Sequence, residues 1–191
     1  MKRVFLIHGW SGSPEEGWGP WLKNELEKQR FEVHAPTMPD SKHPRMDAWL
    51  QTLASAVGTP DENTYFIGHS LGCITTLRYL ERLFEGQKIG GAVLVAGFSD
   101  INITVGEDED IRELESFFGA EVDFEKVKKH CNHFVAIHSD NDPYVALRYA
   151  DIFKEKLGAK IIVESNKGHF SGDDGITELP NALESVLKIA G

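Results

Sequence analysis

The chain has 191 residues, of which 41% are apolar and 26% charged, and its formal net charge is −10. That length suits one compact domain over residues 1–191 with a core of its own, and no apolar run approaches the roughly 20 residues a bilayer-spanning helix needs. The acidic balance argues against a nucleic-acid partner, which requires a basic surface, and mildly disfavours anionic substrates.

Met1-Lys2-Arg3 followed by Val4-Phe5-Leu6-Ile7 has the outline of a leader peptide. The apolar run is too short for one and Gly9-Trp10 interrupts it, so the segment reads as a first strand and the expected address is cytoplasmic. A helix follows Pro20, marked by Trp21-Leu22, Leu26 and Gln29, because proline is favoured in a first helical turn. Phe31 to His34 is a short, weak strand. Met46, Trp49-Leu50, Leu53 and Val57 mark a second helix closed by Gly58. Tyr65 to Ile67 is a strand, and a helical pattern runs from Ser70 to Phe84, stopped by Gly86. Strands at Ala92 to Ala96, Phe134 to Ile137 and Ile161 to Val163 complete the set, with helices over Tyr144 to Leu157 and Leu179 to Ile189.

Near-continuous apolar strands alternating with amphipathic helices indicate an α/β domain with a mostly parallel sheet covered on both faces. Six strands are expected in the spatial order 2-1-3-4-5-6, on the usual wiring of right-handed crossovers. The one irregular stretch, 98–129, holds the acidic run Glu107-Asp108-Glu109-Asp110 and two short helical patterns, Ile111 to Phe118 and Val122 to His130. It is either a small lid or an ordinary crossover with an untidy start. Cys73 and Cys131 stand far apart in no metal or redox spacing, so two reduced thiols are expected.

Gly68-His69-Ser70-Leu71-Gly72 carries the chemistry. An apolar strand precedes this Gly-x-Ser-x-Gly and an amphipathic helix follows it, the context of a nucleophile elbow in the α/β-hydrolase fold. A sharp strand-to-helix turn strains the serine, so its neighbours must lack bulk where backbones approach. The turn also sets the hydroxyl at a helix N-terminus, where N–H groups favour developing negative charge. The alternative is a glycine-flanked serine that merely caps the helix.

A serine hydroxyl needs a positioned base, and the base an orienting acid. The chain order in this fold is serine, acid, histidine. Of eight histidines, His169 alone follows the last strand in a loop. Asp140-Asn141-Asp142-Pro143, after the fifth strand, offers two acids. Asp142 is preferred because Pro143 opens the next helix and fixes the turn beneath it; it could equally serve as that helix's N-cap. Asp140 is the second candidate, and Asp173 and Asp174 fall after the histidine. The expected oxyanion donors are the backbone N–H groups of Leu71 and Trp10, the latter in the glycine-rich loop after the first strand. That loop lacks the lysine and spacing of a phosphate-binding loop. Trp10, Trp18 and Phe98 are candidates to line an apolar acyl site, with plain packing as the alternative for Trp18.

The chain resembles the small serine hydrolases related to retinoblastoma-binding protein nine, especially their bacterial members. The likeness rests on Ile7-His8-Gly9-Trp10, Trp18-Gly19-Pro20-Trp21-Leu22, Met38-Pro39, Pro44-Arg45, Trp49-Leu50, Gly68 to Cys73, Gly97-Phe98, Ser139 to Asp142 and Gly168-His169-Phe170. It implies a minimal α/β-hydrolase with little or no lid, a triad of Ser70, Asp142 and His169, action on small esters, and no cofactor or metal ion. The expected partner is a small-molecule substrate, with no membrane role. The Leu-x-Cys-x-Glu motif of the mammalian member is not matched, since Leu71-Gly72-Cys73-Ile74-Thr75 ends without glutamate; its pocket-protein partner is not carried over.

Overall fold

The computed structural model describes residues 1–100 and 114–191. The strands are β1 (Arg3–Ile7), β2 (Glu32–His34), β3 (Thr64–His69), β4 (Gly91–Val95), β5 (Phe134–Ser139) and β6 (Lys160–Glu164). They form one sheet in the order β2-β1-β3-β4-β5-β6, parallel throughout. The helices among the described residues are α1 (Gly19–Lys28), α2 (Met46–Val57), α3 (Leu71–Glu81), α4 (Phe124–His130), α5 (Arg148–Leu157) and α6 (Pro180–Ala190). None of them is long and apolar enough to cross a membrane.

The period-2 alternation of each strand divides the core in two. Phe5, Ile7, Phe66, Leu94 and Ala136 face one side, where they pack with Trp49, Leu53, Leu77 and Phe153 of α2, α3 and α5. Val4, Leu6, Ile67, Val93 and Ile137 face the other, against Leu22 and Leu26 of α1 and Val186 of α6. Both faces of the inner strands are therefore buried, which is why those strands read as unbroken apolar runs. Each inner position is sensitive: truncating a fully buried leucine such as Leu77 typically costs about 2–5 kcal/mol.

Residues 114–130 contribute to the core: Leu114, Phe117, Val122 and Val127 are buried on the α2–α5 side. The acidic run 107–110 and the start of the Ile111 to Phe118 pattern lie outside the described residues. Two helix ends differ from expectation. The third helix stops at Glu81, because Leu83 turns back to the Leu80 carbonyl and leaves Phe84 80% exposed. The fifth begins at Arg148 and not at Tyr144; before it the chain makes a separate turn in which the Asp142 side chain accepts the Tyr144 and Val145 amides. Cys73 and Cys131 are free and buried, and burial pushes both thiols up, Cys131 to about 12.

His138 of β5 is 1% exposed, and its Nε2 has no hydrogen-bond partner among the described residues. Burial against Phe153 holds it down to about 4, with Asp142 pulling weakly the other way. An unfolded histidine takes its proton near pH 6.5, so from there down to about pH 4 the unfolded chain binds more protons than the folded one. Stability is therefore lost as pH falls through this window, by on the order of 3 kcal/mol from His138 alone. His138→Leu is expected to flatten this acid limb and to cost little at pH 7, because it removes an unsatisfied polar atom. Chemical denaturation of both proteins at pH 7 and pH 4.5 checks it; equal losses in the two would refute the assignment.

Candidate active site

Every predicted site residue sits at the carboxyl end of the sheet, where this class of fold places its ligands. Ser70 follows β3 directly, with φ 52° and ψ −116°, a conformation that costs a non-glycine residue on the order of 1–3 kcal/mol. The flanking glycines permit it. A Cβ on Gly68 would stand 2.7 Å from the Cys73 nitrogen, and one on Gly72 would run into the Ile7 and His8 carbonyls. Backbone cannot yield to such contacts as a flexible side chain can. The Ser70 N–H is bonded to the Val95 carbonyl at 2.9 Å, which anchors the turn to β4. Its side chain makes no capping bond to α3, so the hydroxyl is left for the cavity and the capping alternative fails.

The loop after β1 lies against this turn: a Cβ on Gly9 would be 3.0 Å from that of Ser70. His8 braces the loop, its Nδ1–H donating to the Gly9 carbonyl at 2.8 Å and its Nε2 accepting the Met38 N–H at 3.0 Å. Accepting the Met38 N–H needs a neutral ring, and burial lowers His8 below its ordinary value, opposed in part by the Gly9 bond. Trp10 ties the loop outward through Nε1–H to the Lys42 carbonyl, 2.8 Å. Among the described residues the Trp10 backbone N–H makes no hydrogen bond to another backbone group, and Leu71 opens α3, where a first-turn N–H has no intrahelical acceptor.

Asp142 and His169 meet. An Asp142 Oδ2 lies 2.8 Å from His169 Nδ1, with the two side chains 2% and 13% exposed. The other Asp142 oxygen accepts the Tyr144 and Val145 amides at 2.9 and 3.0 Å, so both lone-pair faces of this buried carboxylate are satisfied. Asp140 turns away. Its Oδ1 accepts the Asn166 N–H at 2.9 Å, a bond that holds this exposed carboxyl below its usual value. Asp174 cradles the histidine loop by accepting from the His169 N–H, the Ser171 N–H and the Ser171 hydroxyl. Burial raises its carboxyl, but these bonds outweigh it and the net displacement is downward.

Ser70 and His169 line one cavity of about 310 Å³, together with Trp10, Trp18, Glu16 and Asp173. Phe98 is not among its lining; it is buried against Phe118 and Tyr149 and belongs to the core. Trp18 is only 6% exposed, and its Nε1–H reaches the Phe170 carbonyl at 3.0 Å. Sequence reasoning passed over His69, Asn141 and Ser139, whose only signal was adjacency to the motif residues, and set Asp174 aside by chain order; all four bond the backbone of the His169 loop.

A parallel six-stranded sheet in this order, with a strained serine between β3 and α3, defines an α/β-hydrolase. The chain belongs to the Serine hydrolase family, whose model matches residues 4–188. It is 34% identical over 179 residues to YdeN of Bacillus subtilis (strain 168), a hydrolase by name, covering 94% of this chain and 91% of that protein. It is also 30% identical over 176 residues to serine hydrolase RBBP9 of Rattus norvegicus, covering 91% and 88% of the two chains. The crystal structure of the B. subtilis ydeN product superposes with a TM-score of 0.90 at 31% identity, over 99% of this chain and 98% of that one.

Proposed function

We propose that the chain hydrolyses small esters through an acyl-enzyme, with Ser70 as nucleophile, His169 as general base and Asp142 as the group that orients it. The 2.8 Å contact between Asp142 Oδ2 and His169 Nδ1, made between side chains 2% and 13% exposed, is the observation that carries this reading. An ionised carboxylate there keeps the proton on Nδ1 and leaves Nε2 as the acceptor for the serine proton. Ser70 Oγ then attacks the carbonyl carbon, and the oxyanion is received by the Leu71 and Trp10 N–H groups. His169 returns the proton to the leaving alcohol. Water, activated by the same imidazole, releases the acid and restores Ser70.

The cavity wall supports a neutral or cationic small substrate. Glu16 and Asp173 line it, and among the described residues it has no lysine or arginine. A polyanionic acyl carrier would meet like charge at the mouth.

A fluorophosphonate probe followed by a substrate panel tests this reading. Wild-type protein should be labelled at Ser70 alone, and p-nitrophenyl esters of short acids should be turned over faster than acyl-CoA thioesters or aminoacyl amides. Absence of labelling in folded protein would overturn the mechanism. A preference for thioesters or amides would overturn the choice of bond.

A further inference from the structure

Three residues of the His169 loop, Asn166, Gly168 and Phe170, have positive φ values of 57°, 54° and 57°. Two of them are not glycine, so the loop carries conformational strain that its surroundings must hold. Its amides are held from one side: Asn141 Oδ1 accepts the Gly168 N–H at 2.9 Å and Asp174 Oδ2 the His169 N–H at 2.9 Å. Its carbonyls are held from the other side, by two aromatic N–H donors. His69 Nε2 lies 2.7 Å from the His169 carbonyl, and a carbonyl only accepts, so the His69 proton is on Nε2. Trp18 Nε1–H reaches the next carbonyl, that of Phe170, at 3.0 Å. The two donors brace each other edge to face, with ring centroids 5.8 Å apart, and the His69 ring sits 5.1 Å from that of His169.

We propose that His69 and Trp18 form a clamp of positioning residues that holds the His169–Phe170 backbone by its two carbonyls and so sets the imidazole against Ser70. The clamp rests on the reading of His169 as general base. His69 is the residue immediately before Ser70, so one side chain fixes the base relative to the nucleophile across 100 positions of sequence. Its environment suits that role. Burial, reinforced by the proximity of His169, lowers His69 to about 4. It stays neutral while His169 takes up a proton, and no like charge opposes the imidazolium.

The experiment compares wild type with His69→Phe, His69→Gln and Trp18→Phe. For each, kcat and KM on a p-nitrophenyl ester, the fluorophosphonate labelling rate and the downfield proton resonance of His169 Nδ1 are measured. His69→Phe keeps a ring and loses the donor. It is expected to lower kcat by about 10- to 100-fold, as loss of a buried bond and a small misplacement of the base predict, with KM within about threefold. The Nδ1 resonance should broaden or move upfield. His69→Gln, which restores an N–H near the same place, should recover most of the loss. Trp18→Phe should act in the same direction by about 5- to 10-fold, and it carries the test if His69→Phe does not fold.

A folded His69→Phe protein with wild-type kcat and resonance overturns the clamp. So does a His69→Gln protein as damaged as His69→Phe, since the donor would not be the cause. Failure of wild-type protein to label or to hydrolyse any ester refutes the hydrolytic reading instead. The resonance then still reports whether these two donors set the His169–Asp142 contact.

Discussion

Ser70→Ala is expected to lower kcat/KM for an activated ester by about three orders of magnitude or more, while the protein stays folded. The fold should survive because the hydroxyl makes no capping bond to α3, and the backbone anchor to Val95 is untouched. Alanine meets the same strain at φ 52° as serine does. His169→Ala should cost a similar factor, and the double variant little more than either alone, because nucleophile and base act as a unit. The two single variants should differ in stability. Removing His169 strips the Asp142 Oδ2, on a side chain 2% exposed, of its hydrogen-bond donor, and a buried acceptor left unsatisfied costs about 1–3 kcal/mol. Steady-state kinetics on an activated ester, with thermal melts of all three variants, check this. A folded Ser70→Ala protein with the wild-type rate would remove Ser70 from the chemistry.

The parts of the molecule governed by local pattern could be read from the chain. The apolar runs located the strands because their inner members are buried on both faces, and the Gly-x-Ser-x-Gly turn had to fall between β3 and α3. β2 was weak in sequence because it is a three-residue edge strand with only Val33 buried. What escaped were features set by partners distant in sequence. α5 starts only at Arg148, after a turn over Tyr144 and Val145 that one oxygen of Asp142 closes while the other meets His169, 27 positions away. Phe98, a candidate for the acyl site by sequence, packs with Phe118 and Tyr149, residues that no periodicity around Phe98 could reveal. Trp18 and His69 have no unusual spacing either. Their role appears only when the chain closes and sets their N–H groups against residues 169 and 170.

The choice between two aspartates is where the geometry makes the sharpest demand. Asp142→Asn is expected to reduce kcat by on the order of 10³- to 10⁴-fold with little change in KM. The Tyr144 and Val145 amides both donate to one oxygen of Asp142. An asparagine there must keep its carbonyl oxygen on those donors, which turns its NH₂ toward His169. That group can only donate, so it stabilises the histidine tautomer with the proton on Nε2, and the lone pair needed by Ser70 is gone. The loss is one of proton placement, so ester binding should barely change. Asp140→Asn should stay within a few-fold of wild type, because its Oδ1 only accepts the Asn166 N–H, and an amide oxygen does that as well as a carboxylate at a fully exposed site. Kinetics of the two variants on one ester, with the His169 Nδ1 proton followed by NMR, separate the roles. If Asp140→Asn were the crippled protein and Asp142→Asn the active one, the acid would be Asp140 and the 2.8 Å contact merely structural.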